Sequence, residues 1–357
     1  PNYETAQNTY TLEVTRKAVT VTANNASKYV GDPDPIITAT VDGLVGTDAI
    51  DYVVTREAGE DAGTYAITPS GDKIQGNYEV TYHPGTLTIT KKGGLVVEGT
   101  QYTGVYDGQS HGEAAKATVD GQPVEGTTIT YSTDGGKTWS PDYPTITNVG
   151  TINVTVKAEN PKYETATGEY VLTVNKKAVT VTANNAGKTF GEKDPELTAT
   201  VDGLVGSDEI EYSVTRKAGE AVGTYAITAS GAAEQGNYTV TYVPSTFTIT
   251  PSSGLTVSGT DYDAAYDGSE HGTAATASVT EGTTISYSTD GGQTWSTDYP
   301  TIKNVGTINV TVKAENPNYA TATSSYVLNV STKEVTVTAN AASKTYGETD
   351  PELTATV

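Results

Sequence analysis

Cysteine and methionine are absent from the 357 residues, and phenylalanine and tryptophan occur only twice each. Without thiols the chain forms no disulfide, builds no thiolate metal site and runs no thiol catalysis. Each folded part must then be held by its own core, by its neighbours or by an ion. The lack of methionine removes the second readily oxidised side chain, which suits exposure outside the cell. Basic residues are scarce too, 21 against 43 acidic, for a formal net charge of −22. Such a field repels polyanions, so neither nucleic-acid binding nor membrane insertion is expected. No run approaches the ~18 apolar residues of a membrane span. No charged-then-apolar leader opens the sequence, so any signal peptide or wall anchor is expected outside this stretch.

What is present is a palette of β-formers and turn residues: threonine, valine, asparagine, 24 tyrosines and 37 glycines. The organisation is repetitive. Lys-Ala-Val-Thr-Val-Thr-Ala-Asn-Asn begins at Lys17 and again at Lys177, and a close variant begins at Lys333. A second opening, Gly-Leu-Val-Val-Glu-Gly-Thr from Gly94, returns as Gly-Leu-Thr-Val-Ser-Gly-Thr from Gly254. Two kinds of unit therefore alternate. The register is the end of a B unit (1–16), A (17–91), B (92–176), A (177–251), B (252–332) and the opening of an A unit (333–357). Val119 to Val124 in the first B unit shrinks to Val279-Thr280 in the second, a loss that belongs in a loop.

A and B read as diverged copies of one design. Asp61-Ala-Gly-Thr-Tyr-Ala-Ile67 in A corresponds to Asn148-Val-Gly-Thr-Ile-Asn-Val154 in B, so one topology is expected for both. Alternation marks the strands: Ile152, Val154, Val156 and Ala158 share one face, and the same period recurs at Val19/Val21, Ile50/Tyr52/Val54, Tyr65/Ile67, Leu87/Ile89 and Tyr170/Leu172/Val174. Punctuated by Gly, Pro and Asp-Gly, this pattern predicts a two-sheet sandwich of roughly six or seven strands per unit. The single helix-like candidate is a short turn near Gly43 to Asp48.

Asp61 to Ile67 resembles the corner and sixth strand of immunoglobulin domains, with Tyr65 at the corner and Ile67 in the place of the cysteine. Lys177-Ala-Val-Thr-Val-Thr-Ala, Phe190-Gly-Glu192, Asp194-Pro-Glu-Leu197 and Gly223-Thr-Tyr-Ala-Ile227 make the A unit resemble the bacterial "mostly β, glycine-rich" (MBG) repeat family. The B unit, with Tyr106-Asp-Gly-Gln-Ser-His-Gly112 and Tyr131 to Trp139, is similar to immunoglobulin-like repeats of large Gram-positive surface proteins. The resemblance implies an all-β, elongated tandem array of small sandwich modules in a secreted, wall-anchored protein.

Candidate sites each have a bland alternative. Ser132 to Trp139 fits an Asp-box pattern, repeated from Ser288 to Trp295. Asp134, Gly136 and Trp139, with Asp290, Gly292 and Trp295, are read as a structural hairpin in which the Asp accepts backbone N–H bonds. Tyr106-Asp-Gly-x-x-His111 and Tyr266-Asp-Gly-x-x-His271 put one carboxylate near one imidazole, a poor zinc site, and read as turns. Gly31-Asp-Pro-Asp-Pro35 and Asp194-Pro-Glu196 gather carboxylates as calcium would need, but lack an Asp-x-Asp-x-Asp-Gly loop. No cofactor is expected beyond that calcium alternative. Three histidines, two in one repeated turn, and no Gly-x-Ser-x-Gly elbow leave nucleophilic catalysis without its parts, so no enzyme is expected. Tyr65, Tyr78, Tyr163 and Tyr225 are assigned to cores and corners rather than to a glycan platform. A Lys–Asn isopeptide clamp at Lys17 or Lys177 finds no Asn in the closing strands.

The function expected from all this is a stalk of a bacterial cell-surface adhesin or fibre, each unit adding about 25 to 40 Å of reach. Its partners are the adjoining repeats of the same chain; self-association into a filament, or gripping of a host glycan or protein by avidity, are the alternatives. Residues 1–16 and 333–357 hold only parts of a unit and are expected to pair within a longer array or with an adjoining molecule.

Overall fold

The computed structural model describes residues 2–357, and among them no α-helix occurs. Two compact units divide the chain, one of residues up to Lys177 with 236–238, the other of 178–235 with 239–357. In the first, an A module is followed by a B module.

The A module has eight strands: β1 (Lys17–Ala23), β2 (Ala26–Tyr29), β3 (Ala39–Asp42), β4 (Val53–Arg56), β5 (Gly63–Ser70), β6 (Ile74–Gln75), β7 (Tyr78–His83) and β8 (Gly85–Thr90). They form two four-stranded sheets, ordered β3-β1-β7-β6 and β2-β8-β5-β4. The first chain segment is split between the sheets at Asn24-Asn25, and the last is split at Pro84, whose missing N–H interrupts the ladder. Both halves pair in parallel: Lys17↔Tyr78 through Thr22↔His83, and Ala26↔Leu87 through Tyr29↔Thr90. Parallel pairing of first with last means that the chain enters the module at one end and leaves it at the other.

The core follows the split. Val19, Val21, Tyr78 and Val80 form one buried cluster, and Ala23, Ile67, Leu87 and Ile89 a second. Ile50, Tyr52 and Val54, expected on one strand, diverge. Ile50 and Tyr52 pack on the first cluster, Val54 packs on the second, and β4 begins only at Val53. The chain is crossing between sheets there, and alternation alone does not reveal which sheet each residue serves. Gly43 to Asp48 is a turn closed by the Asp48 N–H donating to the Val45 carbonyl at 3.1 Å.

The B module has β9 (Val96–Glu98), β10 (Tyr102–Val105), β11 (Lys116–Val119), β12 (Gln122–Pro123), β13 (Thr128–Ser132), β14 (Gly150–Glu159) and β15 (Ala166–Asn175). One sheet, β10-β15-β14-β13, matches β2-β8-β5-β4 of the A module, down to the parallel pair of its first and last strands. The other sheet does not match: β9 lies antiparallel to β11 in a β12-β11-β9 sheet, and of the β1–β7 pairing only a single parallel bridge, Lys92↔Tyr163, remains. The expectation of one topology for both units thus fails for half of the sandwich. Between Ala166 and Asn175 there is no proline, so the last strand runs its 10 residues unbroken in one sheet. The β11–β12 hairpin, turning at Asp120 (φ 50°) and Gly121 (φ 75°), is the segment that the second B unit lacks.

The second compact unit repeats the pattern. Ala186–Thr189, Ser245–Thr250, Gly223–Ser230 and Ser213–Arg216 form one sheet, and Tyr262–Ala265, Ala322–Ser331, Gly306–Glu315 and Thr284–Ser288 another. In this B module a single buried cluster runs from Leu255 to Val330. Residues 2–16 hold no strand, and beyond Ser331 only Thr338–Ala339 and Ala355–Thr356 pair.

Each B core encloses a tyrosine hydroxyl, of Tyr170 and of Tyr326, that no protein group meets. Burial pushes the Tyr170 phenol up to about 12. Gly99 and Gly259 lie flat against these rings, where an added Cβ would fall 2.1 and 2.0 Å from a ring carbon. Removing an unmet hydroxyl releases its desolvation penalty, so Tyr170→Phe is expected to leave stability unchanged or raise it by about 1 kcal/mol. The urea midpoint checks this, and a loss of that size would mean that a bound water serves the hydroxyl.

Candidate functional site

The two Asp-box hairpins are self-contained. Asp134 Oδ1 accepts from the Ser132 hydroxyl (2.7 Å) and from the Lys137 and Thr138 N–H groups (3.0 Å each), while Oδ2 accepts from the Thr138 hydroxyl at 2.6 Å. Gly136, at φ 84°, donates its N–H to Ser132 Oγ at 2.8 Å, and its carbonyl accepts from Trp139 Nε1 at 3.1 Å. Asp290, Gly292 and Trp295 repeat the arrangement with Ser288 and Thr294. The hydrogen bonds from Thr138, with those from Ser132 and Lys137, hold Asp134 far below the usual carboxylate range. A carboxylate so engaged can neither carry a proton near neutrality nor turn outward to a ligand. The Trp139 ring is half-exposed, with Lys157 Nζ 4.9 Å from its centroid; Lys313 stands 4.7 Å from Trp295.

The histidine turns are also closed on themselves. Asp107 Oδ1 accepts from the Gln109 N–H and lies 2.9 Å from His111 Nε2, and the imidazole stacks on Tyr102 with centroids 4.0 Å apart. His271, Asp267 and Tyr262 reproduce this. The corner tyrosines donate as the immunoglobulin likeness implies, Tyr65 to the Asp61 carbonyl (2.9 Å) and Tyr225 to the Ala221 carbonyl (2.8 Å).

Sequence reasoning missed the most concentrated cluster of charge. Lys28, whose side chain is 4% exposed, reaches Asp34 at 2.6 Å and Glu60 at 2.5 Å. Arg56 grips the same Asp34 with two nitrogens, at 2.7 and 3.1 Å, and also pairs with Glu60. Lys188, Asp194, Arg216 and Glu220 form the same four-charge network in the second A module. The signal was in the sequence as Lys-x5-Asp-Pro, at Lys28, Lys188 and Lys344, followed for the first two by Arg-x3-Glu at Arg56 and Arg216. Asp34 and Asp194 belonged to the calcium alternative, with Asp32 and Glu196, and both are instead occupied by cationic side chains. Among the described residues no group of three or more acidic or imidazole side chains is placed to hold a metal.

A buried lysine beside two carboxylates also has the components of an amide cross-link. Amide formation needs a neutral amine attacking a neutral carboxyl. Hydrogen bonds from Arg56 and then Lys28 lower Asp34, and those to Asp34 and Glu60 raise Lys28, so both partners stay ionised. The network is a structural ion cluster.

Two A-to-B joints, one inside each compact unit, differ in chemistry. In the second unit Asn318 Oδ1 accepts the Val222 N–H at 2.9 Å, and Phe190 meets Tyr319 edge-on at 5.4 Å. In the first unit Lys162 and Val30 stand at the places of Asn318 and Phe190. There Lys92 pairs with Asp32 at 2.8 Å and lies 6.0 Å from the Tyr29 centroid.

Two outcomes follow. Hydrogen bonds from Arg216 and then Lys188 depress Asp194 from 3.8 to about 2. Between those values the unfolded chain holds a proton that the folded chain lacks, so stability falls as pH falls, and the contribution is gone below the folded value. Melting temperature followed from pH 5 to 2 is expected to drop less steeply in Asp194→Asn than in the parent; equal slopes would remove the network from acid sensitivity. Asn318→Ala deprives the Val222 amide of its acceptor, and its hydrogen exchange is expected to quicken about fivefold, the equivalent of ~1 kcal/mol.

Residues 19–88 and 179–248, the two A modules, match the family described as MBG domain (YGX type). No curated protein matches the chain. Among solved structures it is similar to protocadherin gammaB7 extracellular domains 3–6, at 10% identity over 88% of this chain and 100% of that one, with a TM-score of 0.33. It is similar also to Drosophila N-cadherin domains 1–4 (11%, 89% and 100%, 0.24) and to Sidekick-1 immunoglobulin domains 1–4 (11%, 82% and 93%, 0.28). At such scores the likeness bears on neither activity nor partners. The chain carries two MBG repeats of the YGX type, set in tandem with β-sandwich modules that the family match does not cover.

Proposed function

We propose that the chain is a spacer, a stretch of the stalk of an extracellular bacterial surface adhesin or fibre, and that it has no catalytic role. The observation that carries this reading is the parallel pairing of an opening strand with the last strand in every whole module, β2 with β8 in A and β10 with β15 in B, which sends the chain in at one end and out at the other. A spacer needs each module to pass the chain on from one of its ends to the other, and this pairing meets that need. The run from Lys17 to Tyr29 in β1 and β2 alone covers about 40 Å at a strand's rise per residue. The side chains with chemical potential are taken up by internal contacts: Asp134, Asp290, His111, His271, Lys28 and Lys188 all have partners inside their own module. A charge of −22 keeps neighbouring stalks apart.

One observation favours binding by the repeats themselves. Each B module presents a half-exposed Trp and Tyr on one hairpin, Trp139 with Tyr143 and Trp295 with Tyr299. The lysine over each indole occupies ring surface that a sugar would use, which ranks this reading second.

Displaying one copy of the chain, and two copies in tandem, between a surface anchor and a fluorescent tag tests the choice. Under the spacer reading the tag stands farther from the surface with each added module, by about 25 to 40 Å. The same chain is expected to bind nothing on a glycan array. A tag height that does not grow with copy number, or array binding abolished by Trp139→Ala with Trp295→Ala, would overturn the reading.

A further inference from the structure

We propose that the A modules are mechanical clamps, which yield at a higher force than the B modules when the chain is pulled by its ends. The proposal takes its setting from the spacer reading and rests on how the terminal strands are held.

Tension between successive modules reaches an A module through the front of β1 and the end of β8. Because β2 and β8 are parallel, those two pulls run lengthwise in opposite directions along adjacent strands. The hydrogen bonds between them are loaded together, in shear. Had the strands entered and left at the same end, they would separate bond by bond, like a zipper. The same holds for β1 against β7, which belongs to the same closing segment. In the first A module the opening segment is thus fixed to the closing segment by six parallel residue pairs and by four more.

Both ends of this double grip are extended, and its middle is pinned. The Lys17 N–H donates to the Asn77 carbonyl (2.9 Å), and the Val30 N–H donates to the Thr90 carbonyl (2.9 Å). Where the opening segment changes sheets, Asn25 Oδ1 accepts from the Thr86 N–H at 2.8 Å, and Asn24 exchanges hydrogen bonds with the Thr38 and Thr40 hydroxyls. The ion network adds a brace behind β2. Lys28 lies on that strand and is tied to Glu60 and Asp34, so drawing β2 out along its axis must also extract a buried ammonium. In the second A module Ala186↔Phe247 through Thr189↔Thr250, with Lys188 tied to Glu220, repeats the parallel grip and its brace.

A B module has less of this. Its β10 and β15 form four parallel pairs, extended by the Tyr106 N–H donating to the Asn175 carbonyl (2.9 Å), and the single parallel bridge Lys92↔Tyr163 is all that answers to the six pairs of β1 with β7. Its first strand, β9, is held by three antiparallel pairs to β11, an interior strand, and the equivalent strand of the second B module by two. No buried lysine braces β10, whose residues are Tyr102, Thr103, Gly104 and Val105. Once β9 peels away, the four parallel pairs carry the load alone.

The test is single-molecule force extension on the whole chain, tethered by its two ends. A and B modules are close in length, so their unfolding steps need a marker. The tip of the β11–β12 hairpin supplies one, because the second B module already lacks that loop and keeps its fold. Inserting about 30 Gly/Ser residues after Gly121, and again after Val279, lengthens the B steps by about 100 Å of extended chain. The lengthened steps are expected first, at low force. The unlengthened steps should follow at a force higher by about 1.25- to 2.5-fold, the span between comparing ten bonded pairs with eight and with four. Lys28→Met with Lys188→Met is expected to lower the force of the unlengthened steps while leaving the lengthened ones in place. Unlengthened steps that come first, or at the same force as the others, would overturn the clamp. Such a result would leave the spacer reading standing, since tag height at rest does not depend on resistance to load.

Discussion

Everything in this molecule depends on how the opening segment of a module meets its last strand. A unit of about 75 to 85 residues buries little apolar surface, and without disulfides it has few ways to fix its ends. Laying β2 beside β8 in A, and β10 beside β15 in B, shuts each sandwich by pairing a strand from near the start of the module with the one that ends it. The right-handed logic of a parallel pair needs a long crossover, and here the whole body of the module serves as that crossover. Entry at one end and exit at the other are consequences of the closure.

The A module carries the closure further and divides its core in doing so. By changing sheets at Asn24-Asn25 and at Pro84, its terminal segments bind both layers, and the buried side chains fall into two small clusters. The B module keeps its closing strand whole and holds one continuous cluster of eleven residues. Polar structure appears where the A core is divided. Lys28 and Lys188 are buried but ionised, each between two carboxylates that a guanidinium also holds. Such clusters contribute little net stability after desolvation, yet removing one partner leaves a buried charge uncompensated and is strongly destabilising. In the first A module the four charges link the Asp34 and Glu60 loops to β2.

How legible this was in the sequence depended on the range of the interaction. Alternation at Val19/Val21, Leu87/Ile89 and Ile152 to Ala158 showed strands and their inward faces, because a period of two is written in neighbouring residues. The hairpin of Asp134 was legible for the same reason, its donors lying within four residues. The Lys28–Glu60 contact spans 32 residues, and the local Lys-x5-Asp-Pro pattern marks Lys28 off from the exposed Lys17 without saying that its ammonium is buried or that Glu60 meets it. Its repetition at Lys188 was visible, but repetition marks a position as shared without saying what it touches. The change of sheet does leave a local mark: Pro84 and Pro244 interrupt the last strand of both A modules, and the last strand of a B module has no counterpart.

The repeats carry their own control experiment. Modules of one type share strand order, hairpin geometry and ion networks almost residue for residue, while their A-to-B joints do not. Asn318, Phe190 and Ser252 occupy in the second unit the positions of Lys162, Val30 and Lys92 in the first. These changes, with Glu192 and Thr189 at the places of Asp32 and Tyr29, exchange an amide hydrogen bond and an aromatic edge contact for an ion pair of half-exposed groups. The half-exposed pair is screened at physiological ionic strength, where the Debye length is about 8 Å, and the aromatic contact is not. Interiors vary too, as Leu87 and Phe247 do at one buried place, but there an apolar side chain replaces another inside the same closed core, whereas at the joint one kind of contact replaces another.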